Sequence, residues 1–340
     1  QTNESFVDSA IETKNLLKIA KQFGYKNPMA FSANGKAAFY VQVPANTNKT
    51  PNTDLIPILK EGTTLSSNNG TSLILTSDVD FNKSDAEVVV AQTDANGDPT
   101  SFAFKAYGDV ISGFINTEIL TVGEYQKFLK ISLSDENITE IISIVDSEGN
   151  EYFEVPYLSH NVTLQPIRNP NKDGEDDAPY VLREKLASRR FITEVEEDGT
   201  VALQRYARDY YSDDSFDPSV LLKNDKFGVV PPSGDLVVTY RKNDQSTVNI
   251  PVNSVNTIVD AILSFPNSSA VSNENLVFAQ NSLDVENEEP ILGSTNSLVS
   301  DEIRVRALNA YSSQNRAVTQ QDYVSLVYRM PAKFGSVKRT

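Results

Sequence analysis

The clearest hydrophobic pattern of this chain lies near its C-terminal end, where two short segments each carry one apolar face. Residues 300–311 and 319–330 place their apolar side chains three and four positions apart, which is the period of an α-helix. The first face consists of Ile303, Ala307, Leu308 and Tyr311, and the second of Tyr323, Leu326, Val327 and Met330. The pattern predicts a pair of helices that pack through these faces, with Tyr323, Leu326 and Val327 packed internally.

Both predicted helices have sequence signals at their ends. Thr319 is followed three positions later by Asp322, which is the form of a capping box: the hydroxyl accepts from a backbone N–H, and the acid bonds back to the start of the helix. Pro331 ends the second helix, because the residue before a proline is pushed out of helical geometry. Ser300 is a candidate N-cap of the first helix. Local signals therefore predict the helix pair without reference to the rest of the chain.

The remaining pattern is an amphipathic helix followed by mostly β-type segments. Residues 5–23 predict a helix, with Gly24 at the position of a C-terminal cap. Strands are predicted at residues 37–43, 73–75, 87–91, 101–106, 138–145, 151–158 and 236–240. Residues 146–150 are expected to form a hairpin turn, residues 255–263 a helix, and residues 169–177 and 267–295 linkers.

These elements predict an α+β, multi-domain protein in which small β-rich domains are inserted between helical segments, the N-terminal helix and the C-terminal helix pair. The expected parts are an N-terminal helical segment (1–35), a β-rich domain (36–168), a second mixed α/β segment (180–266), a linker (267–299), and the helix pair with the start of the next segment (300–340). A chain of 340 residues is long enough for roughly two or three domains.

Composition excludes several classes of function. The chain has 30 basic and 46 acidic side chains and a formal net charge of −16, so nucleic acid and anionic membrane surfaces are disfavoured as partners. Cysteine is absent, which excludes disulfides and thiolate chemistry. The sequence contains no apolar run of the roughly 20 residues that span a bilayer. Its N-terminus lacks a signal-peptide pattern, and both ends are expected to be cut points within a longer protein.

Catalytic chemistry is not expected from the motifs in the sequence. G-x-G-x-x-G, G-x-x-x-x-G-K-[ST] and G-x-S-x-G are all absent. His160 is the single histidine, so sites with two or three histidine ligands cannot form. A partly exposed position at a strand end is favoured for His160 over a catalytic role, because no partner motif orients it. We therefore expect a protein that is not an enzyme and needs no cofactor or metal.

Three acidic segments have alternative interpretations. Residues 94–98 and 173–177 carry oxygen ligands suited to calcium, although neither matches the calcium loop of a helix–loop–helix site. An ordinary turn and a solvated loop are the favoured interpretations, and calcium binding stays open. Residues 210–214, Tyr-Tyr-Ser-Asp-Asp, have the composition of a sugar-contacting patch, but an exposed loop of no special role is favoured there as well.

Four polar residues of the helix pair are candidate subunit contacts, namely Arg304, Gln314, Asn315 and Arg316. Arg316 lies between the two helices, where it can bond the last carbonyls of the first helix. It can equally contact another subunit, since arginine is enriched at interfaces. The same two alternatives apply to the other three residues.

The two predicted helices and the segment between them resemble the helix pair of baseplate J-like proteins, the wedge components of contractile-tail phages and related injection machines. The resemblance rests on Glu-Ile-Arg-Val-Arg-Ala-Leu at 302–308, Asn-Arg-Ala-Val-Thr at 315–319 and Asp-Tyr at 322–323. Further segments match in the family's order: 3–6 with the helix running to 25, 59–63 leading to Phe81, 180–184, and 227–234 running into 237–240. The chain departs from the family where Phe227-Gly228 continues directly into Val229-Val230, and in the insert at 205–226.

The resemblance implies a structural component of a phage tail baseplate wedge. Such a protein self-associates as a homo-oligomer, expected to be a dimer within a ring, and binds neighbouring wedge proteins around the central hub. It would be located in the tail baseplate of the virion after assembly in the host cytoplasm, and this chain would be the middle portion of a larger form. Two alternatives stay open: a glycan-binding adhesin-type module, and a hydrolase that attacks cell-wall polymers through carboxylates.

Overall fold

The structure is a computed structural model that describes residues 2–83, 86–123, 130–169, 180–196, 200–204, 234–244, 248–266, 272–294, 300–313 and 316–328. It is mostly β, with 46% strand and 17% helix. The expected α+β class, with helical segments framing β domains, is therefore wrong. The error arose because the apolar spacing at residues 255–263 was taken as helical in a segment rich in β-branched residues, and because several strands, such as those at Phe114–Val122 and Val162–Arg168, were not predicted.

Within the described residues the helices are α1 (Thr13–Gln22), α2 (Asn273–Ser282), α3 (Ser300–Ser313) and α4 (Gln320–Tyr328), with short 3₁₀ turns at Thr2–Ser5 and Thr53–Leu55. The strands in the first half of the chain are β1 (Asn34–Pro44), β2 (Ile58–Leu59), β3 (Thr64–Ser67), β4 (Ser72–Leu75), β5 (Val79–Asp80), β6 (Glu87–Thr93), β7 (Pro99–Ser112), β8 (Phe114–Val122), β9 (Lys130–Ser132), β10 (Ile138–Asp146), β11 (Glu151–Glu154) and β12 (Val162–Arg168). The later strands are β13 (Tyr180–Leu186), β14 (Arg190–Val195), β15 (Val201–Gln204), β16 (Gly234–Lys242), β17 (Val255–Asp260), β18 (Leu263–Ser264) and β19 (Asp284–Glu286).

The described residues fall into two compact units, and each unit combines stretches that are far apart in sequence. Unit 1 takes its residues from Gln1–Met29, Ile115–Arg241 and Leu298–Gln314, and unit 2 from Ala30–Phe114, Lys242–Ser297 and Asn315–Thr340. The five parts expected from the sequence follow chain order, whereas these units do not.

Unit 2 is built on a seven-stranded sheet in the order β17-β3-β4-β7-β1-β19, with β6 paired to β7 beside this path. The strand β1, which lies between β7 and β19, alternates as its sequence predicts, so that Phe39, Val41 and Val43 enter the core. Leu65 of β3 and Leu73 of β4 belong to the same core. A smaller sheet in the order β18-β2-β5 contributes to the same unit.

Unit 1 contains a second seven-stranded sheet, a two-stranded hairpin and a helical cluster. The sheet has the order β8-β16-β10-β11-β14-β15-β9, and its core includes Leu133, Leu236 and Tyr240. The hairpin consists of β12 and β13. The helical cluster joins α1 to α3 through a separate set of buried side chains: Ala10, Leu16, Ala20, Tyr25, Ile303, Ala307 and Ala310.

The helix predicted at residues 255–263 is wrong, because residues 255–260 form the strand β17. Val255, Ile258 and Val259 have helical spacing, but β17 pairs with β3 through two register shifts, between Val255 and Thr257 and between Ile258 and Asp260. Each shift adds a residue on one strand and resets the alternation of faces. The two-residue period of the strand was hidden by these bulges, while the β-branched composition favoured a strand throughout.

The linker predicted at residues 267–295 is also wrong, since the described part of it holds α2 and β19. Ser272 caps α2, because its hydroxyl accepts from the Asn275 backbone N–H at 3.2 Å. Ala279 of the helix and Val285 of the strand are buried in the core of unit 2. The Asn-, Ser- and Glu-rich composition concealed two short elements that enter the core through Ala279 and Val285.

The predicted helix at residues 5–23 is confirmed only in its C-terminal half, where α1 lies. Residues 6–12 form turns and irregular backbone instead, and Thr2–Ser5 just before them form a 3₁₀ turn. The Glu4 carboxylate accepts from the Ile11 N–H at 3.1 Å and the Glu12 N–H at 3.3 Å, so it holds the backbone just before α1. These bonds, with that from Asn15, lower the pKa of Glu4.

Several strand predictions are confirmed, among them β1, β4, β6, β7 and β16, together with the hairpin of β10 and β11. The turn of that hairpin is held by Asp146, whose Oδ1 accepts from the Asn150 N–H at 2.8 Å and the Glu148 N–H at 3.0 Å. Tyr152 donates to Oδ2 at 3.0 Å. Burial raises the pKa of Asp146, but these hydrogen bonds outweigh it and leave the pKa below its ordinary value.

The capping box at the start of α4 is confirmed. The Asp322 N–H donates to the Thr319 hydroxyl at 3.3 Å, and Asp322 Oδ2 accepts from the Thr319 N–H at 2.8 Å and the Val318 N–H at 3.1 Å. The bonds from Thr319 and Val318 lower the pKa of Asp322. Since its pKa is lower in the folded state, Asp322 supports the helix above its unfolded pKa and loses that effect as the pH falls through the folded pKa.

Candidate interaction surfaces

The helical cluster of unit 1 determines the position of Arg304, the first of the predicted contact residues. Leu16 and Ala20 of α1 pack against Ile303 and Ala307 of α3, because both helices carry small and apolar residues at spacings of three and four. The Thr13 and Ser300 hydroxyls lie 3.0 Å apart and join the starts of the two helices. This packing brings the segment before α1 beside the first turn of α3.

Arg304 lies at this junction. Its Nε donates to the Val7 carbonyl at 2.8 Å, and its Nη2 donates to the Ala10 carbonyl at 2.8 Å. Its Nη1 donates to Asp301 at 2.5 Å on the same helix. The guanidinium therefore joins the backbone of the N-terminal segment to α3, which is a structural role within the chain. Its expected role as a subunit contact stays a prediction.

We expect replacement of Arg304 by alanine to lower the free energy of unfolding by about 2 kcal/mol, because two carbonyls lose a charged donor. The matched control is Arg306→Ala on the same helix. Arg306 pairs with Glu302 one turn away on the exposed side, so its loss should cost less than ~0.5 kcal/mol. Urea unfolding followed by circular dichroism measures both values. Equal losses in the two variants would contradict the assigned role of Arg304.

The other candidate contacts are less closely defined. Arg316 is exposed in the segment between α3 and α4. Gln314 and Asn315 lie outside the described residues. Among the residues predicted to pack, Ile303 is buried. Tyr311 is exposed, although its ring lies 5.1 Å from that of Phe23.

The remaining packing candidates are largely exposed. Leu308, Tyr323, Leu326 and Val327 all have solvent-accessible side chains. The packing of α3 against α4 stays a prediction.

The hairpin of β12 and β13 carries an exposed apolar surface that was not predicted from the sequence. In its antiparallel register Val162 faces Leu186, Leu164 faces Glu184, and Pro166 faces Leu182. Directly opposed residues point to the same side, so at these three pairs this side is apolar except for Glu184. Its apolar members with large exposed fractions are Val162, Leu164, Leu182 and Leu186. The alternation in the sequence at 162–166 is the signal that could have revealed it.

The opposite side of the hairpin is mostly polar and contacts the rest of unit 1. It carries Thr163 opposite Lys185, Gln165 opposite Arg183 and one apolar pair, Ile167 opposite Val181. The Lys185 ammonium lies over the Phe153 ring, 4.2 Å from its centroid, a favourable cation–π distance. The hairpin is thus fixed through its polar side, and its apolar side faces solvent.

The acidic and histidine candidates have ordinary structural positions where they are described. The turn at residues 94–98 is held by Asp94, whose Oδ1 accepts from the Asn96 and Asp98 N–H groups at 2.8 Å. The His160 N–H donates to the Tyr157 carbonyl, and the two rings lie 5.8 Å apart. Residues 173–177 and 210–214 lie outside the described residues.

Two carboxylates of unit 1 come together around Tyr240. The buried Tyr240 hydroxyl donates to Asp135 at 2.6 Å and lies 3.4 Å from Glu118. Asn116 also donates to Asp135, at 2.7 Å, while Glu118 accepts from the Ser134 N–H at 3.1 Å. Burial is the main cause that raises the pKa of Tyr240, and the contact with Asp135 raises it further. The cluster ties β8 and β16 to the loop before β10.

Comparisons with known proteins add no family assignment, because no protein-family model and no curated protein matches this chain. Among the described residues, no three acidic, histidine or cysteine side chains are placed to hold a metal ion together. None of the described helices has the length and apolar character needed to cross a membrane.

Proposed function

We propose that this chain is a structural, non-enzymatic subunit of a contractile-tail baseplate wedge. In this role it associates with itself and binds neighbouring wedge proteins around the central hub of the tail. It would be part of the virion after assembly in the host cytoplasm. The chain acts by presenting folded surfaces to protein partners, and the described contacts of its charged groups serve that fold.

The observation that carries the proposal is the exposed apolar side of the β12–β13 hairpin. An isolated two-stranded hairpin is at best marginally stable in water, and a hydrophobic side normally packs on something. Leu164 and Leu182 stand on this side with more than half of their side chains exposed, at 58% and 60%. We assign this side to a neighbouring wedge subunit, because an apolar surface is stabilised when a protein partner removes it from water.

The free energy gained by burying the apolar side chains of the hairpin is of the size expected for one contact of a larger assembly. Fully burying a leucine or valine is worth about 1.5–3 kcal/mol, and roughly half of that remains to be gained for a half-exposed side chain. Four such side chains supply a few kcal/mol, of which part offsets the cost of association. A single hairpin therefore gives a weak contact, and a wedge that engages several surfaces at once gives a stable one.

The resemblance found in the sequence supports the same assignment. Its segment at residues 180–184 lies on β13, within the exposed hairpin. Its segments at 302–308 and 322–323 lie on α3 and in the first turn of α4. The matched residues thus occur both on the exposed surface and in the helical cluster that supports α3.

A charge placed on the apolar side of the hairpin should abolish binding to tail partners. We expect Leu164→Asp to weaken the complex with co-expressed tail components by at least about tenfold, since a carboxylate would be desolvated in the contact. Gln165→Asp is the matched control, because Gln165 is exposed on the adjacent position but points to the polar side. Native mass spectrometry and co-purification of the full chain measure the complex.

The outcomes separate two kinds of failure. Normal binding by Leu164→Asp would show that the hairpin is not the contact. A wild-type chain that ignores every tail component would contradict the baseplate role itself. Reproducible binding to a glycan array by the wild-type chain would favour the adhesin alternative.

A further inference from the structure

The strand β6 ends the main sheet of unit 2 with an uncovered apolar edge. β6 pairs with β7 along one side, and no described strand pairs with its other side. Its sequence begins Glu-Val-Val-Val, and Val88, Val89 and Val90 are all exposed. An edge of this kind has a row of unpaired N–H and C=O groups that can template another strand.

The exposure of these valines indicates that the sheet can accept one further strand beside β6. Val88 faces Phe104 and Val90 faces Phe102 across the β6–β7 ladder, so both valines point to the core side of the sheet. The two phenylalanines are buried, whereas Val88 and Val90 are about half exposed. One further strand beside β6 would cover these valines and satisfy the free backbone groups.

The usual protections of a sheet edge are sparse on this strand. Natural edges carry lysine, proline, inward-pointing charges or bulges that prevent pairing. The run from Glu87 to Val90 contains neither lysine nor proline. The register of β6 shifts only after Val90, towards Gln92, so the first four residues remain regularly paired with β7.

We infer that β6 pairs with β6 of a second copy of this chain, antiparallel and about a two-fold axis through Val89. A two-fold axis perpendicular to the sheet keeps each side chain on its own side, which requires the register to centre on a residue. Val89 then faces Val89 of the second copy, and Val88 faces Val90. The core sides of the two sheets become continuous.

The charges of the strand permit this arrangement. Glu87 is the single charged residue of β6, and in this register it faces Ala91. The two Glu87 side chains are four residue positions apart along the pairing, about 14 Å at the rise of a strand. Valine therefore meets valine at the centre, and like charges do not oppose each other.

A second copy is the occupant that this symmetry selects. A foreign strand would also satisfy the edge, but the central valines and the terminal placement of Glu87 make the strand complementary to itself. The inference deepens the proposed assembly role, on which it rests, by naming a surface for self-association. Because the chain has a net charge of −16, two copies repel at long range, and this dimer should strengthen when salt screens the repulsion.

The test uses the purified full-length chain without tail components. Sedimentation velocity over roughly 1 μM to 1 mM should show a reversible monomer–dimer equilibrium for the wild type that shifts towards dimer with added salt. Val89→Lys places two ammonium groups opposite each other on the axis, and we expect it to weaken the dimer by at least about tenfold. Val89→Glu should do the same.

Two comparisons make the result specific. Val259→Lys is the matched control, because Val259 lies on the strand at the other edge of the same sheet and is 66% exposed, against 62% for Val89. It should dimerise like the wild type. An equimolar mixture of Val89→Lys and Val89→Glu should recover dimer as a mixed pair, because opposite charges then meet on the axis.

The inference is overturned by a wild-type chain that stays monomeric over this range, by a Val89→Lys chain that dimerises normally, or by a dimer that weakens with salt. A monomeric wild type that still binds tail components would leave the proposed baseplate role intact. Circular dichroism establishes that each variant is folded, as expected for exposed positions.

Discussion

Replacing Asn287 by leucine is expected to lower the free energy of unfolding by about 3–5 kcal/mol, because four backbone groups lose their hydrogen-bond partner. Asn287 follows β19 and is fully buried. Its Oδ1 accepts from the N–H groups of Ser254 and Val255, at 2.9 and 2.8 Å. Its Nδ2 donates to the carbonyls of Pro251 and Glu289, at 2.7 and 2.9 Å.

All four bonds of Asn287 lie inside unit 2, and the side chain that makes them is fully buried. Leucine keeps the branch at Cγ and the number of side-chain heavy atoms but has no polar atom, so the substitution removes all four hydrogen bonds, and its bulkier methyl groups add to the cost. Asn256→Leu is the control, since Asn256 is an exposed asparagine on β17 that bonds the Asn68 side chain at 2.6 Å. Urea unfolding at neutral pH provides the comparison, and a loss for Asn287→Leu no larger than that for Asn256→Leu would refute this account.

Replacing Gly108 by valine should cost about 3 kcal/mol, for a different reason. Gly108 is a buried position of β7, and a Cβ at this position would lie 2.5 Å from Val79 Cγ2 and 2.7 Å from Leu75 Cδ1. The Phe39 ring is 3.0 Å away. These three side chains are core residues, so they cannot move aside without disturbing the packing around them.

A graded series makes this test sharp. Gly108→Ala should be destabilised less than Gly108→Val, because it adds fewer atoms to the same tight space. Gly123 is the control, since no heavy atom lies within 4 Å of its Cβ position. Gly123→Ala should be neutral or slightly stabilising, because alanine restricts the unfolded chain. Thermal unfolding ranks the three proteins, and an unfolding temperature for Gly108→Ala equal to that of the wild type would contradict the predicted overlap.

The features that sequence predicted well depend on neighbours in the chain. The capping box of Thr319 and Asp322 formed as expected, because both partners lie within one helical turn. The hairpin of β10 and β11 formed as expected, because Asp146 organises a turn of five residues by itself. In such cases the residues that decide the structure are adjacent, and composition and spacing are sufficient to identify them.

The features that sequence missed depend on partners far along the chain. β17 was assigned as a helix because its two bulges are defined by pairing with β3, which lies almost 200 positions earlier. α2 and β19 were assigned to a linker because Ala279 and Val285 enter a core that is supplied mainly by other segments. Local composition does not contain that information.

The candidate surfaces also depend on partners far along the chain. Arg304 was a candidate subunit contact, and the structure adds bonds to backbone carbonyls nearly 300 positions earlier, which local sequence does not predict. The apolar sides of the β12–β13 hairpin and of β6 become visible once their strand register is known. Their alternation was present in the sequence, but a buried and an exposed strand side have the same pattern until the neighbours are placed.

The packing of α1 on α3 has a consequence for biosynthesis. The two helices are separated by 277 intervening residues, 23 to 299, and ribosomes add roughly 5–20 residues per second. Leu16 and Ala20 are therefore synthesised roughly 15–60 s before their partner helix α3. During that interval the nascent chain carries an unprotected apolar stripe, which is a natural substrate for chaperones that hold emerging polypeptides.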